Sequence, residues 1–436
     1  MTLQTSVISD SIRLSAIKTD RFKTGILTFT LTIPLTSKNF AYNTLLAGVM
    51  RRGTKSYPSL SALNKRLDEL YAASIEIRSA QNAKNLSLII TAEFLDDRYI
   101  TDNCNVLSGV LNVISDLVFH PLLKNGIFLP DIVAQEKKIA LDYLNSEINN
   151  TRLYALKRCY ERMYRLENDY PTTERLKRHI ENADEKSLYE HLLNIIDSSA
   201  IDVFYIGNED IEELSKRISL VFDEYSPENV YTPILPKPRP TLPLLSESEA
   251  MPVSQGKLTL GFGTGVCIGE KDNKYFAALV FNEIFGASPL SKLFMNVREK
   301  LSLCYYCSST YSIYSGDVIV SSGIEVQNRE KAEREILAQL DNIREGKISD
   351  AEFSSAVRSL ENSYKQIFDS PLDLQSFYAT RRMFGINDTI EDTLKMLRCV
   401  TLDDVIDIAK NTTLDTVFFV EGTLQGGANT EEEEYE

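Results

Sequence analysis

Hydrophobic positions along this chain switch between a period of two and a period near 3.6, and the switches come in the same order twice. In the first run, Ser59 precedes "LSALNKRLDELY", where Leu60, Leu63, Leu67 and Leu70 make a helical stripe. The strand-like segments "ASIEIRSAQ" and "LSLIITAEF" follow it. In the second run, Ser288 and Pro289 form an N-cap and first-turn pair. Leu290, Leu293, Phe294, Val297 and Leu301 then give the stripe, and "LCYYCSSTYS" and "GDVIVSSGIE" give the strands. Helix, strand, turn and strand therefore recur at an offset of 230 residues, from Leu63 to Leu293, which points to a duplicated unit.

The rest of the pattern fills out two such units. "SIRLSAIKT" and "TGILTFTLTIPL" predict an opening hairpin, residues 131–165 a long helical region, and "SAIDVFYIGN" and "TVFFVEG" a closing strand for each half. Long helices interleaved with hairpins predict an α+β fold: two homologous halves, each with antiparallel sheet flanked by helices. The boundary lies at residues 229–256, where prolines at 233, 236, 238, 240, 243 and 252 forbid a continuous helix. This divides the chain into an N-terminal half, 1–228, a Pro-rich linker, 229–256, and a C-terminal half, 257–436, with an acidic tail at 430–436.

Composition narrows the function classes. With 43% apolar and 25% charged residues over 436 positions, the chain reads as ordinary globular protein. No apolar run reaches membrane-spanning length, and the N-terminus is not a basic-then-apolar leader, so the expected location is the cytoplasm. A net charge of −15 argues against nucleic acid as the main ligand. Among the six cysteines only Cys304 and Cys307 make a C-x-x-C. On a strand, residues three apart point to opposite faces, so their sulfurs should diverge and stay reduced. "LGFGTGVCIG" lacks the spacing of a dinucleotide fingerprint and reads as a glycine-loosened strand end.

One stretch poses a specific question. "NTLLAGVMRRGTKSYPSL", residues 43–60, is a helix followed by a Gly-Thr stop, with the small residues Thr44, Ala47 and Gly48 on one face at i, i+3, i+4. In the second half stands "FNEIFGASPLSKLFMNVREKLSLCYYCSSTYSIYSGDVIVSSGIE". Together these resemble the pitrilysin/insulinase family of inverted zinc peptidases, whose signature is H-x-x-E-H. The likeness covers about residues 30–430 and rests on the Gly turn, Ser-x-Leu-Phe, Arg-Glu-Lys, the Leu-x-Tyr strand and the Gly-containing hairpin.

The resemblance implies a clamshell of the two halves around a central chamber. Anchoring on Gly53-Thr54 places the signature on Thr44 to Gly48, so both metal-binding His and the water-activating Glu are absent. The family's third ligand falls near Tyr143, with Glu136 and Glu147 close by as alternatives. Thr, Ala and Gly offer none of the donors that normally hold zinc, so no metal is expected in this chain. His120, His179 and His191 have no partner at the motif spacing; His120 reads as a helix cap, His179 and His191 as decoration of polar helices. In family heterodimers a partner supplies zinc while the other subunit contributes an Arg and a Tyr, which match Arg298 and Tyr305. The expected function is thus a non-catalytic subunit, not active alone, that binds peptide together with a zinc-bearing H-x-x-E-H paralogue. The alternative is an inactive scaffold or assembly protein of the same fold.

Overall fold

The computed structural model describes residues 3–102, 104–223, 225–269 and 274–423; the expected acidic tail lies outside them. Its strands are β1 (Leu3–Ser9), β2 (Ile12–Lys18), β3 (Thr24–Pro34), β4 (Ser74–Asn82), β5 (Asn85–Leu95), the short pair β6 (Leu123–Lys124) and β7 (Ile127–Phe128), β8 (Ile201–Gly207), β9 (Leu245–Met251), β10 (Gly256–Gly263), β11 (Cys304–Tyr311), β12 (Asp317–Ile324) and β13 (Thr413–Gly422). One sheet has the order β1-β2-β8-β3-β5-β4 and the other β11-β12-β10-β13-β9. Read from the opposite end, the second repeats β2-β8-β3-β5-β4 strand for strand, down to the single parallel pair, β2 with β8 and β9 with β13. Identical order with the parallel pair in the same place is the signature of duplication expected from the sequence.

The opening strands are paired differently from the expected hairpin. β2 and β3 are not neighbours, because β8, arriving from the end of the half, lies between them and bonds to both. The hairpin partner of β2 is β1. Within the Pro-rich stretch the last part is also regular: the prolines pause after Pro243, and "LSESEAM" alternates cleanly enough to form β9 alongside β13.

The helices are α1 (Ser37–Met50), α2 (Leu60–Glu69), α3 (Val106–Phe119), α4 (Pro130–Ser146), α5 (Thr151–Met163), α6 (Thr173–Asn182), α7 (Glu185–Ser198), α8 (Ile211–Val221), α9 (Tyr275–Asn282), α10 (Arg329–Arg344), α11 (Asp350–Gln366), α12 (Pro371–Met383), α13 (Ile390–Arg398) and α14 (Leu402–Asn411). Ser59, just ahead of the leucine stripe, caps α2, accepting from the Ala62 amide at 3.1 Å. In the second repeat the cap is Ser291, three residues beyond Ser288, and residues Leu293–Lys300 wind as a π-helix. Leu63 and Leu293 are both buried at corresponding places ahead of their hairpins.

The chain folds into two compact units, and neither is a continuous segment. Among the described residues, one comprises those within 3–146, 167–236 and 364–390; the other comprises those within 147–166, 237–363 and 391–423. Relative to halves drawn at 228 and 257, α5 and α12 have changed places. The alternation of each sheet shows why this works. On β3, Leu27, Phe29, Leu31 and Ile33 enter the main core with α1, α3 and α7, leaving a threonine face. There Thr32 meets Met383 of α12, and Phe204 of β8 stacks on Tyr378. In the other unit Ala155, Cys159 and Met163 of α5 close over Ile319, Phe418 and Val420. The central strands of each sheet are covered on both faces, as the burial of β3, β10 and β12 shows.

Candidate functional site

Thr44, Ala47 and Gly48 lie on α1, which starts at a Thr36 cap and runs into the Gly53-Thr54 stop. Gly53 has φ +150°, and a side chain there would collide with the Tyr57 carbonyl, so the turn requires glycine. Thr54 is buried, its amide bonded to Tyr57 O and its hydroxyl to Asp116.

The signature positions hold no metal donors. The Thr44 hydroxyl donates to its own helix at Phe40 O, 2.9 Å away, and Ala47 is buried. Beside Gly48 stands Glu136 of α4: a Cβ built on Gly48 would lie 2.2 Å from Glu136 Oε2. The glycine thus makes room for a carboxylate that Arg52, one turn further along, neutralises through Nε and Nη2, each 2.5 Å from Oε1. Of the other third-ligand candidates, Tyr143 is 68% exposed and Glu147 pairs with Lys157 in the other unit. Among the described residues no group of three or more His, Cys, Asp or Glu is arranged to hold a metal. Zinc does not fit this donor set. The Arg52–Glu136 pair was not anticipated from sequence, although Gly48 and Arg52 at i and i+4 share a helix face and were the available signal.

The histidines are engaged elsewhere. His120 ends α3, as expected of a cap, with Nδ1 3.5 Å from Asp116. His179 Nε2 contacts Ser37 Oγ at 3.2 Å. His191 is not a surface decoration: it is buried, Nε2 meets Asn43 Oδ1 at 2.8 Å, and its ring packs edge-on to Tyr42. Burial, assisted by the Lys38 charge, pushes its pKa down to about 4.

Arg298 and Tyr305 come together. Leu301 N bonds five residues back to Asn296 O, and Ser302 takes a left-handed φ of 49° as its amide bonds to Arg298 O. This sharp exit from the π-helical turn delivers β11 beside the helix end. Both side chains line one open cleft of about 380 Å³, with Glu299, Ser302, Leu303, Cys304, Glu325 and Asn328. The Tyr305 residue is 54% exposed and the Arg298 side chain 41%. The guanidinium lies over the Phe294 ring at 4.7 Å and 3.6 Å from Glu299.

The two cysteines of the C-x-x-C differ from expectation. A bulge at Tyr305 shifts the register, so that Cys304 pairs with Ile324 and Cys307 with Ser322. Residues 322 and 324 share a sheet face, and hence so do both cysteines, which are buried.

Comparison with known proteins agrees with this reading. The family model described as "Peptidase M16 inactive domain" matches residues 182–360. The chain is 30% identical over 415 residues to the "Probable inactive metalloprotease YmfF" of Bacillus subtilis (strain 168), spanning 93% of this chain and 95% of that relative. The crystal structure of a conserved protein from Enterococcus faecalis V583 superposes with a TM-score of 0.90 at 26% identity, covering 98% of this chain and 100% of the other. A peptidase M16 inactive domain structure from Pseudomonas fluorescens shares the fold, with a TM-score of 0.79 at 14% identity over 98% of this chain and 99% of that one. With a curated relative matching nearly end to end, the chain belongs to the pitrilysin/insulinase, or M16, peptidase family as an inactive metalloprotease-like member.

Proposed function

We propose that this chain is the non-catalytic subunit of a heterodimeric zinc peptidase of the cytoplasm, lending Arg298 and Tyr305 to a partner that bears H-x-x-E-H. The observation that carries the reading is the shared cleft, which a guanidinium and a phenol both line, each substantially exposed. A planar guanidinium suits a peptide carbonyl or terminal carboxylate, and a phenol can donate to an oxygen that gains charge as the peptide carbonyl is attacked. Thr44, Ala47 and Gly48 offer no metal donors, which supports a reading in which the partner brings the metal. The test is reconstitution with a zinc-bearing relative, comparing wild type with Arg298→Ala and Tyr305→Phe. Turnover should fall in both variants while pair formation and the partner's zinc content hold. Full activity in both would leave a scaffold role in its place.

A further inference from the structure

We propose that Cys304 and Cys307 form an oxidisable dithiol, with Cys304 the thiol that reacts first with a peroxide and Cys307 the thiol that resolves it into a disulfide. The geometry comes from the bulge. Pairing with Ile324 and Ser322 sets the two cysteines as next-but-one neighbours on one face of the sheet. In a regular strand that spacing is about 6.6–6.8 Å between Cα atoms, at the upper edge of the disulfide range of about 4.4–6.8 Å. A bulge bends its strand, so the pair is released from that regular spacing. Without the extra residue the sulfurs would lie on opposite faces and could not meet.

Their surroundings divide the labour. Cys304, though only 8% exposed, lines the cleft that Arg298 also lines, which gives a small oxidant a path to it, whereas Cys307 is 3% exposed and is not among the residues lining that cleft. A hydrogen bond with the Cys307 thiol holds the Cys304 pKa below its ordinary value, and the Arg298 charge adds to this against the opposing effect of burial. That bond and burial push Cys307 up. Cys159, by contrast, is fully buried with a raised pKa, and Cys399 is exposed.

The chemistry balances with hydrogen peroxide as oxidant. The Cys304 thiolate takes one peroxide oxygen as the O–O bond breaks, giving a sulfenic acid and hydroxide. Cys307 sulfur then attacks Cys304 sulfur, its proton leaving with the displaced hydroxide as water. Two thiols and one peroxide give one disulfide and two waters.

The experiment is peroxide titration of the purified chain followed by tryptic mass spectrometry. Residues 301–329 form one tryptic peptide that contains both cysteines and no other. It should appear two hydrogens lighter, and before oxidation Cys304 should alkylate about tenfold faster than buried Cys159 or Cys267. In Cys307→Ser the reaction should stop at a sulfenic acid on Cys304, trapped by a 1,3-diketone; if that variant does not fold, the wild-type peptide still decides. A peptide left unchanged at peroxide levels that oxidise Cys399, or Cys304 oxidised without the disulfide, would overturn the proposal. The readout is sulfur chemistry in this chain alone and does not depend on peptide binding.

Discussion

Arg52 Nε donates to Glu136 Oε1 at 2.5 Å, and the pair fills the space where a side chain at position 48 would stand. Restoring the peptidase signature therefore meets an occupied site. Gly48→His must expel a neutralised carboxylate from a packed interior, so it should lower the melting temperature. The triple variant Thr44→His, Ala47→Glu, Gly48→His should hold no stoichiometric zinc, since Tyr143 supplies no carboxylate and Glu136, the carboxylate beside position 48, is already held by Arg52. Thermal melts and elemental analysis of the dialysed protein check both outcomes.

The pair itself carries a second expectation. Arg52→Ala leaves Glu136 buried without its cation, which should cost about 1–3 kcal/mol. The double variant with Glu136→Gln should recover part of that loss, because no unpaired charge remains inside. Urea denaturation of the four members of the cycle measures the coupling.

Tyr305→Phe removes one hydrogen-bond donor while preserving the ring. If the phenol serves the transition state, kcat of the reconstituted pair should drop by about 10²–10³ with KM little changed. Arg298→Ala should raise KM as well, since a charge-assisted bond to the peptide acts before the reaction, at about 1.5–3 kcal/mol. Steady-state kinetics at saturating subunit concentration separates the two signatures; identical effects on kcat and KM would contradict the division of roles.

His191 gives a pH dependence of defined sign. Its folded pKa is depressed to about 4, against about 6.5 for a free imidazole. As pH falls below 6.5 the unfolded chain binds the proton first, so this group's contribution to stability declines from pH 6.5 down to about 4, where it levels off. The total is on the order of 3 kcal/mol. His191→Gln should flatten that part of the profile, and the difference between wild-type and variant unfolding free energies across pH 4–7 reports it.

Arg239 predicts a larger loss. It is 7% exposed; Nε donates to Asp317 Oδ1 at 2.9 Å, and Nη2 lies 2.6 Å from Asp415 Oδ2. Burial pushes the Asp317 pKa up, and Arg239 opposes the shift. Arg239→Met strands two carboxylates and should cost about 3–5 kcal/mol. Adding Asp317→Asn and Asp415→Asn should restore much of it, as read by chemical denaturation.

How much of this was legible beforehand follows from the range of the interactions involved. Ser59 as a cap, Gly53 as a turn that forbids a side chain, and the stripe of Leu63 and Leu67 are local matters settled within a turn or two of chain, and the sequence carries them openly. The repeat was legible too, since periodicity survives substitution as long as the buried face stays apolar. Arg298 and Tyr305 could be singled out by motif, but only the π-turn and the left-handed Ser302 bring them into one cleft.

Other features were decided by partners distant in sequence. Nothing near β2 and β3 announces that β8 will lie between them; a parallel strand competes for the same backbone donors and wins through long-range closure. The exchange of α5 and α12 follows from sheets with two faces to cover, a demand that no single segment expresses. Likewise the amino acids alone set Cys304 and Cys307 on opposite sides of a strand, and one bulge against β12 puts them on the same side. Periodicity by itself determined the apolar faces of the main helices and strands. Register, pairing and the neighbours of each charge were left to the tertiary structure, because strand hydrogen bonds and buried ion pairs depend on groups that meet only when the chain has closed on itself.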